Sequence, residues 1–126
     1  TLQYFTSTNY PQNYPNNENC SWTIDATVGK QVELTILTLT TEVCCDYVEV
    51  FDGQTSVARL KGSTTNTPRY ISTTGQFRVV FISDRSVTRS GFRASYIETA
   101  CGKHLNSYQC PTIFHINQLS TKLPQQ

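Results

Sequence analysis

Short runs with an apolar residue at every second position fill the first hundred residues of this chain, and they restrict it to β-structure. Val32, Leu34 and Ile36 alternate with polar or β-branched neighbours, and Tyr47 to Phe51 alternates across Glu49. Phe77, Val79 and Phe81 share one face with Arg78 leading the other, and Phe92, Ala94 and Tyr96 repeat the pattern. Successive side chains of a strand point to opposite faces, so a period of two marks a strand with one face on a core. Turn-forming residues punctuate the runs at Val28-Gly29-Lys30, Asp52-Gly53, Lys61-Gly62, Thr74-Gly75 and Ser90-Gly91. No stretch sustains a helical period. Many short strands with regular turns predict an all-β fold, an antiparallel two-sheet sandwich.

The 126 residues suffice for one domain with a two-sheet core. A formal net charge of +1 gives no bulk attraction to nucleic acid or an anionic membrane, so a nucleic-acid partner is not expected. Charge is segregated along the chain: residues 1–52 hold seven of the nine acids and only Lys30 among the bases. Strand order in a β-fold can interleave the two halves, so scattered solvated charge is the default reading. No apolar run approaches the roughly 20 residues needed to span a bilayer. Five cysteines in a chain with 15% charged residues point to an oxidising compartment, and hence to a secreted, extracellular protein. No signal peptide is visible, and Thr1 is expected to be a mature terminus or a cut within a larger secreted chain.

The first 19 residues carry a short tandem, Asn9-Tyr10-Pro11 and Asn13-Tyr14-Pro15. Each proline forces the tyrosine before it into an extended conformation, so a strand followed by a surface turn at one end of the sandwich is expected. Trp22 and Ile24 then point to one face, with Trp22 as a core anchor. From Cys101 the composition becomes loop-like, although Thr112 to Ile116 has the character of one more strand; Ser120 to Gln126 is polar and expected to fray. Residues 1–98 are read as the domain, and 99–126 as an appendage or the start of another module.

Several blocks together resemble a CUB domain: Asn9-Tyr10-Pro11 with Tyr14-Pro15, Cys20-Ser21-Trp22-Thr23-Ile24, Asp46 to Gly53, Leu60-Lys61-Gly62, Phe77 to Asp84, and Ser90 to Tyr96. Their order and spacing match the family across residues 5–97. The resemblance implies a β-sandwich of jelly-roll topology in a secreted or cell-surface protein. It also implies a non-catalytic module that binds proteins, and sometimes sugars, within a larger chain. Three departures stand out. The family's usual first cysteine, ahead of the Tyr-Pro segment, is absent here and is expected upstream of Thr1. The usual fourth cysteine is absent from Ser63 to Tyr70. An additional cysteine stands beside Cys44 or Cys45. The family's disulfide map therefore does not transfer.

Five cysteines are an odd number. Cys101 and Cys110 are close in sequence, and a local loop-closing bridge is expected between them. The preferred scheme for the other three joins Cys20 to Cys44 or Cys45 and leaves one thiol for an external partner. A second scheme closes a Cys44–Cys45 ring and bridges Cys20 to a residue before Thr1; it ranks lower because vicinal bridges are strained and rare. A third sends Cys101 or Cys110 back to the domain. Metal ligation by the cysteines is not expected, since paired Cys-x-x-Cys spacing is missing and the compartment favours disulfides.

Some CUB domains bind Ca²⁺ at one end of the sandwich. The resemblance implies a ligand set of a glutamate after the long strand, an aspartate opening the next, and the aspartate of a Ser-Asp pair. Glu42, Asp46 and Asp84 occupy those positions. Ca²⁺ takes six to eight oxygens, so three carboxylates with backbone carbonyls and water suit it. The segment between Glu42 and Asp46 is shorter than in calcium-binding members, and Val87 stands where they carry an asparagine, although its backbone carbonyl remains available as a ligand. The alternative is that Asp46 and Asp84 hold loop amides while Glu42 is solvated. With the ion bound, the family mechanism captures a lysine or arginine of a protein partner on the carboxylate edge.

Other features weigh less. Asn19-Cys20-Ser21 is a glycosylation sequon. Arg85 and Arg89 share a loop that would suit an anionic glycan, with solvated arginines as the default reading. His104 and His115 match no catalytic or zinc spacing, and neither a Gly-x-Ser-x-Gly nor a His-Glu-x-x-His motif occurs, so no enzyme is expected. The leading reading is a secreted protein–protein interaction module, in which calcium takes part if bound. The alternatives are a glycan-binding adhesion domain and a matrix subunit, disulfide-linked or homo-oligomeric, cross-linked through the leftover cysteine.

Overall fold

The computed structural model describes residues 1–64 and 66–101. Nine strands occur among them: β1 (Gln3–Thr6), β2 (Asn19–Asp25), β3 (Lys30–Thr40), β4 (Tyr47–Asp52), β5 (Thr55–Leu60), β6 (Ser63–Thr64), β7 (Arg69–Ile71), β8 (Gln76–Ile82) and β9 (Gly91–Ala100). One sheet runs β1-β9-β3-β6, with β7 also pairing β3; the other runs β2-β8-β4-β5. All ladders are antiparallel. Consecutive long strands, β2 and β3 or β8 and β9, fall in opposite sheets, which gives the expected sandwich. No helix among the described residues is long and apolar enough to cross a membrane.

The alternating residues of the two sheets share one core. Val32, Leu34 and Ile36 of β3, with Phe92 of the neighbouring β9, lie in one sheet and Val79 and Phe81 of β8 in the other, and each is at most 1% exposed. Trp22 of β2 belongs to this core, edge-on to Phe92 and 5.2 Å from the Phe5 ring. In β4 the inward pair is Val48 and Val50; Tyr47 and Phe51 take the outer face, beneath the guanidinium groups of Arg59 and Arg78. Such stacking shields an aromatic face that would otherwise meet water.

Strict alternation breaks once in β3. The ladder with β9 shifts register between Ile36 and Thr38, placing an extra residue in the strand. The bulge reverses the phase, so Leu39 and Thr41 turn inward where Ile36 did before it. The strand therefore delivers a buried Thr41 and then Glu42 to one end of the sandwich. Here the β1–β2, β3–β4 and β8–β9 connections gather. At the opposite end, Asp52 accepts hydrogen bonds from the amides and hydroxyls of both Thr73 and Thr74 and fixes the turn before β8.

Candidate functional site

Tyr14 organises the end where the three connections meet. Its ring is 1% exposed and packs edge-on against Phe81 at 4.8 Å. Its hydroxyl donates to Asp46 Oδ2 at 2.6 Å and accepts from the Glu42 amide at 3.2 Å. Burial first, and then the bond to Asp46, push the phenol well above its ordinary pKa, so it stays a donor. The Tyr14 amide in turn donates to the Arg89 carbonyl. Sequence reasoning singled out the Tyr-Pro tandem as a turn and missed this role; the signal was a large aromatic fixed by Pro15 beside polar residues.

The β3–β4 connection is a tight turn. The amides of Cys45 and Asp46 both donate to the Glu42 carbonyl, at 3.3 and 3.2 Å. Thr41 anchors the turn, donating from Oγ1 to the Asp46 carbonyl and accepting the Gly62 amide. Gly62 has φ +74°, and a Cβ there would press on Val43 at 3.3 Å, so the residue is constrained twice.

The β8–β9 connection is laced to the N-terminal turn. Ser83 Oγ donates to the Pro15 carbonyl and accepts the Glu18 amide, and the Asn17 amide donates to the Asp84 carbonyl at 2.7 Å. Asp46 Oδ1 then accepts the Asp84 amide at 2.9 Å and ties two of the connections together.

Glu42, Asp46 and Asp84 are brought together, with a carboxylate oxygen of each within 4.8 Å of the others. Both readings of the aspartates meet here: they do hold loop amides, Asp46 that of Asp84 and Asp84 that of Ser86. Glu42 departs from the expectation of solvation. Its Oε1 is buried and has no hydrogen-bond partner among the described residues. Desolvation first, then the negative charges of Asp84 and Asp46, push its carboxyl above the usual range, against a downward pull from Arg89. A buried carboxylate oxygen without a partner is costly. A hard cation among the three acids would supply what it lacks, so the donor set fits Ca²⁺.

The cysteines require a correction. Cys44 and Cys45 are joined to each other, so neither is left for an external partner, and the preferred bridge from Cys20 does not form. Adjacency and the tight turn bring the two sulfurs together, whereas Cys20 is buried on β2 and donates its thiol to Glu18 Oε1 at 3.2 Å. Burial and the Glu18 carboxylate push that thiol up to about 11. The cross-linked matrix reading loses the leftover thiol of the pair on which it stood. Cys101 is disulfide-bonded; Cys110, His104, His115 and the run from Thr112 to Ile116 lie outside the described residues.

Asn19 is exposed at the start of β2, as a sequon asparagine must be to receive a glycan. Arg85 and Arg89 are both exposed, and the charge of Arg89 bears on Glu42. Val87, between them, has φ +66°, a left-handed conformation unusual for a β-branched residue.

Comparison with known proteins places this geometry. The family model for the CUB domain matches residues 1–96. Embryonic protein UVS.2 of Xenopus laevis is 38% identical over 104 residues, 76% of this chain, which spans 20% of that protein's length. Among solved structures, the full extracellular region of zebrafish Gpr126/Adgrg6 superposes with a TM-score of 0.74 and 37% identity, over 79% of this chain and 14% of the other. The MASP-1 CUB2 domain bound to Ca²⁺ superposes with a TM-score of 0.68 and 26% identity, over 75% of this chain and 90% of that domain.

Proposed function

The chain belongs to the CUB domain family, and we propose that it is an extracellular protein-interaction module whose contacts depend on Ca²⁺ held by Glu42, Asp46 and Asp84. CUB domains are non-catalytic interaction modules, so any chemistry belongs to other parts of the proteins that carry them. The observation that carries the proposal is the convergence of the Glu42, Asp46 and Asp84 carboxylates, with Glu42 Oε1 buried and lacking a hydrogen-bond partner among the described residues. The solved MASP-1 domain, similar in fold and sequence, is one bound to Ca²⁺.

Calcium would supply the positive charge that three converging carboxylates require. The chain's own residues do the positioning. Tyr14 orients Asp46, the turn from Thr41 to Asp46 presents Glu42, and the Asp46–Asp84 bond brings the third acid in. The remaining carboxylate edge would receive a lysine or arginine of a protein partner, a charge-assisted contact that weakens with salt and with acid. The exposed Asn19 at the edge of β2 would carry a glycan in a secretory setting.

The test is capture of a lysine-rich peptide on the immobilised chain. The expected result is binding in Ca²⁺ that is lost in EDTA and falls with ionic strength. Binding indifferent to both EDTA and salt would overturn the proposal.

A further inference from the structure

Glu42 faces two sets of donor atoms. One is the pair of aspartates; the other is the pair of sulfurs of Cys44 and Cys45, which fall with its carboxylate oxygen inside the same 4.8 Å limit. While the sulfurs are bonded to each other they offer a metal ion little. As thiolates they would be strong donors, and two thiolates with a carboxylate suit Zn²⁺ or Cd²⁺ rather than Ca²⁺.

We infer that the turn from Glu42 to Asp46 contains a second, redox-gated site, formed by Cys44, Cys45 and Glu42 once the disulfide is reduced, for a thiolate-seeking divalent cation. Three observations support it. Glu42 and Cys45 stay together without the disulfide, because the Cys45 amide donates to the Glu42 carbonyl and the Asp46 amide reinforces that turn. Cys44 is exposed, so a reductant can reach its sulfur. Zinc–sulfur bonds are about 2.3 Å, so donors on one ion lie at most about 4.6 Å apart. The Glu42 oxygen and both sulfurs lie within 4.8 Å of one another, so the carboxylate already stands close to that span, and reduction must part the sulfurs from bonding distance to the roughly 3.8 Å of two thiolates on one tetrahedral ion.

The reductant is a dithiol. Its thiolate attacks Cys44 Sγ, the Cys44–Cys45 bond breaks, and the Cys45 sulfur leaves and takes up a proton. The second thiol of the reductant then closes on the first, expelling Cys44 as a thiol. The reductant becomes a disulfide, and two electrons and two protons pass to the cysteines. Metal binding returns both thiol protons to solvent. Glu42 belongs to both donor sets, so an ion on the sulfurs withdraws it from Asp46 and Asp84.

The site does not require calcium and is tested without it. The full chain, carrying C101S and C110S in every sample because reduction would also open the Cys101 disulfide, is reduced with a dithiol, desalted under argon and titrated with Cd²⁺, reading the ultraviolet thiolate-to-cadmium charge-transfer band. The expected result is a band saturating near roughly one equivalent in the reduced chain and absent from the oxidised chain. It should be lost in C44S/C45S and in C45S alone, with Cys20 still in place. Glu42→Gln, which keeps both cysteines, should weaken Cd²⁺ on the order of tenfold or more with an unchanged near-ultraviolet dichroism spectrum. A band that survives in C44S/C45S, or an affinity indifferent to Glu42→Gln, would overturn the inference.

Discussion

Tyr14 and Asp46 are joined by a 2.6 Å hydrogen bond between two side chains that are at most 1% exposed, across 32 residues of sequence. The bond holds the N-terminal turn against the start of β4, and the same phenol oxygen accepts the Glu42 amide. One hydroxyl thus sets the positions of two of the three converging acids.

Tyr14→Phe keeps the ring on Phe81 and deletes only that hydroxyl. Loss of a hydrogen bond to a charged acceptor should cost about 1.5–3 kcal/mol of stability, measured by urea denaturation. Calcium affinity should fall on the order of tenfold, because the hydroxyl acts on the ligands from behind. Unchanged affinity would show that Asp46 is oriented without it.

Val87 gives a prediction of opposite sign. Its φ of +66° costs a β-branched residue roughly 1–2 kcal/mol, which asparagine largely avoids. Val87→Asn should therefore raise the melting temperature of the calcium-free chain. It also puts a side-chain oxygen into the loop that carries Asp84, so it should tighten Ca²⁺ binding, whereas Val87→Gly relaxes the backbone and should leave affinity unchanged. Calorimetric titration of the two variants separates strain from ligation.

The sandwich was legible because each run of alternation becomes one strand with its apolar set inward, as in Phe77, Val79 and Phe81. The bulge after Ile36 was not, since an extra residue leaves no mark in a period-two pattern until the partner strand fixes the register. The carboxylate set followed from family resemblance, because Asp84 lies far in sequence from Glu42 and only strand order unites them. The cysteines were misread for a physical reason. A ranking by strain favoured a long-range bridge, while the geometry places Cys20 on β2 beside Glu18 and folds Cys44 onto Cys45.

Glu42 makes the calcium-free chain pH-dependent. Desolvation and the charges of Asp84 and Asp46 raise its folded pKa above the unfolded value, against the opposing Arg89. The folded state then binds the proton more tightly than the unfolded state does. The stabilisation is fully present below the ordinary glutamate pKa and is lost as pH rises through the raised folded value. In EGTA, Glu42→Gln should melt above the native chain at neutral pH, and the difference should shrink as pH falls through the acid range. A difference that grows on acidification would contradict the assignment.

The central claim is that Glu42, Asp46 and Asp84 hold one calcium ion, and titration calorimetry with Ca²⁺ on the native chain and on Asp84→Ala tests it most directly. The account predicts single-site binding to the native chain, with a stabilisation of about 2.7 kcal/mol when free calcium is a hundredfold above Kd. It predicts neither heat nor stabilisation in a folded Asp84→Ala chain. No heat and no melting shift in the native chain, or equal binding by both, would contradict it.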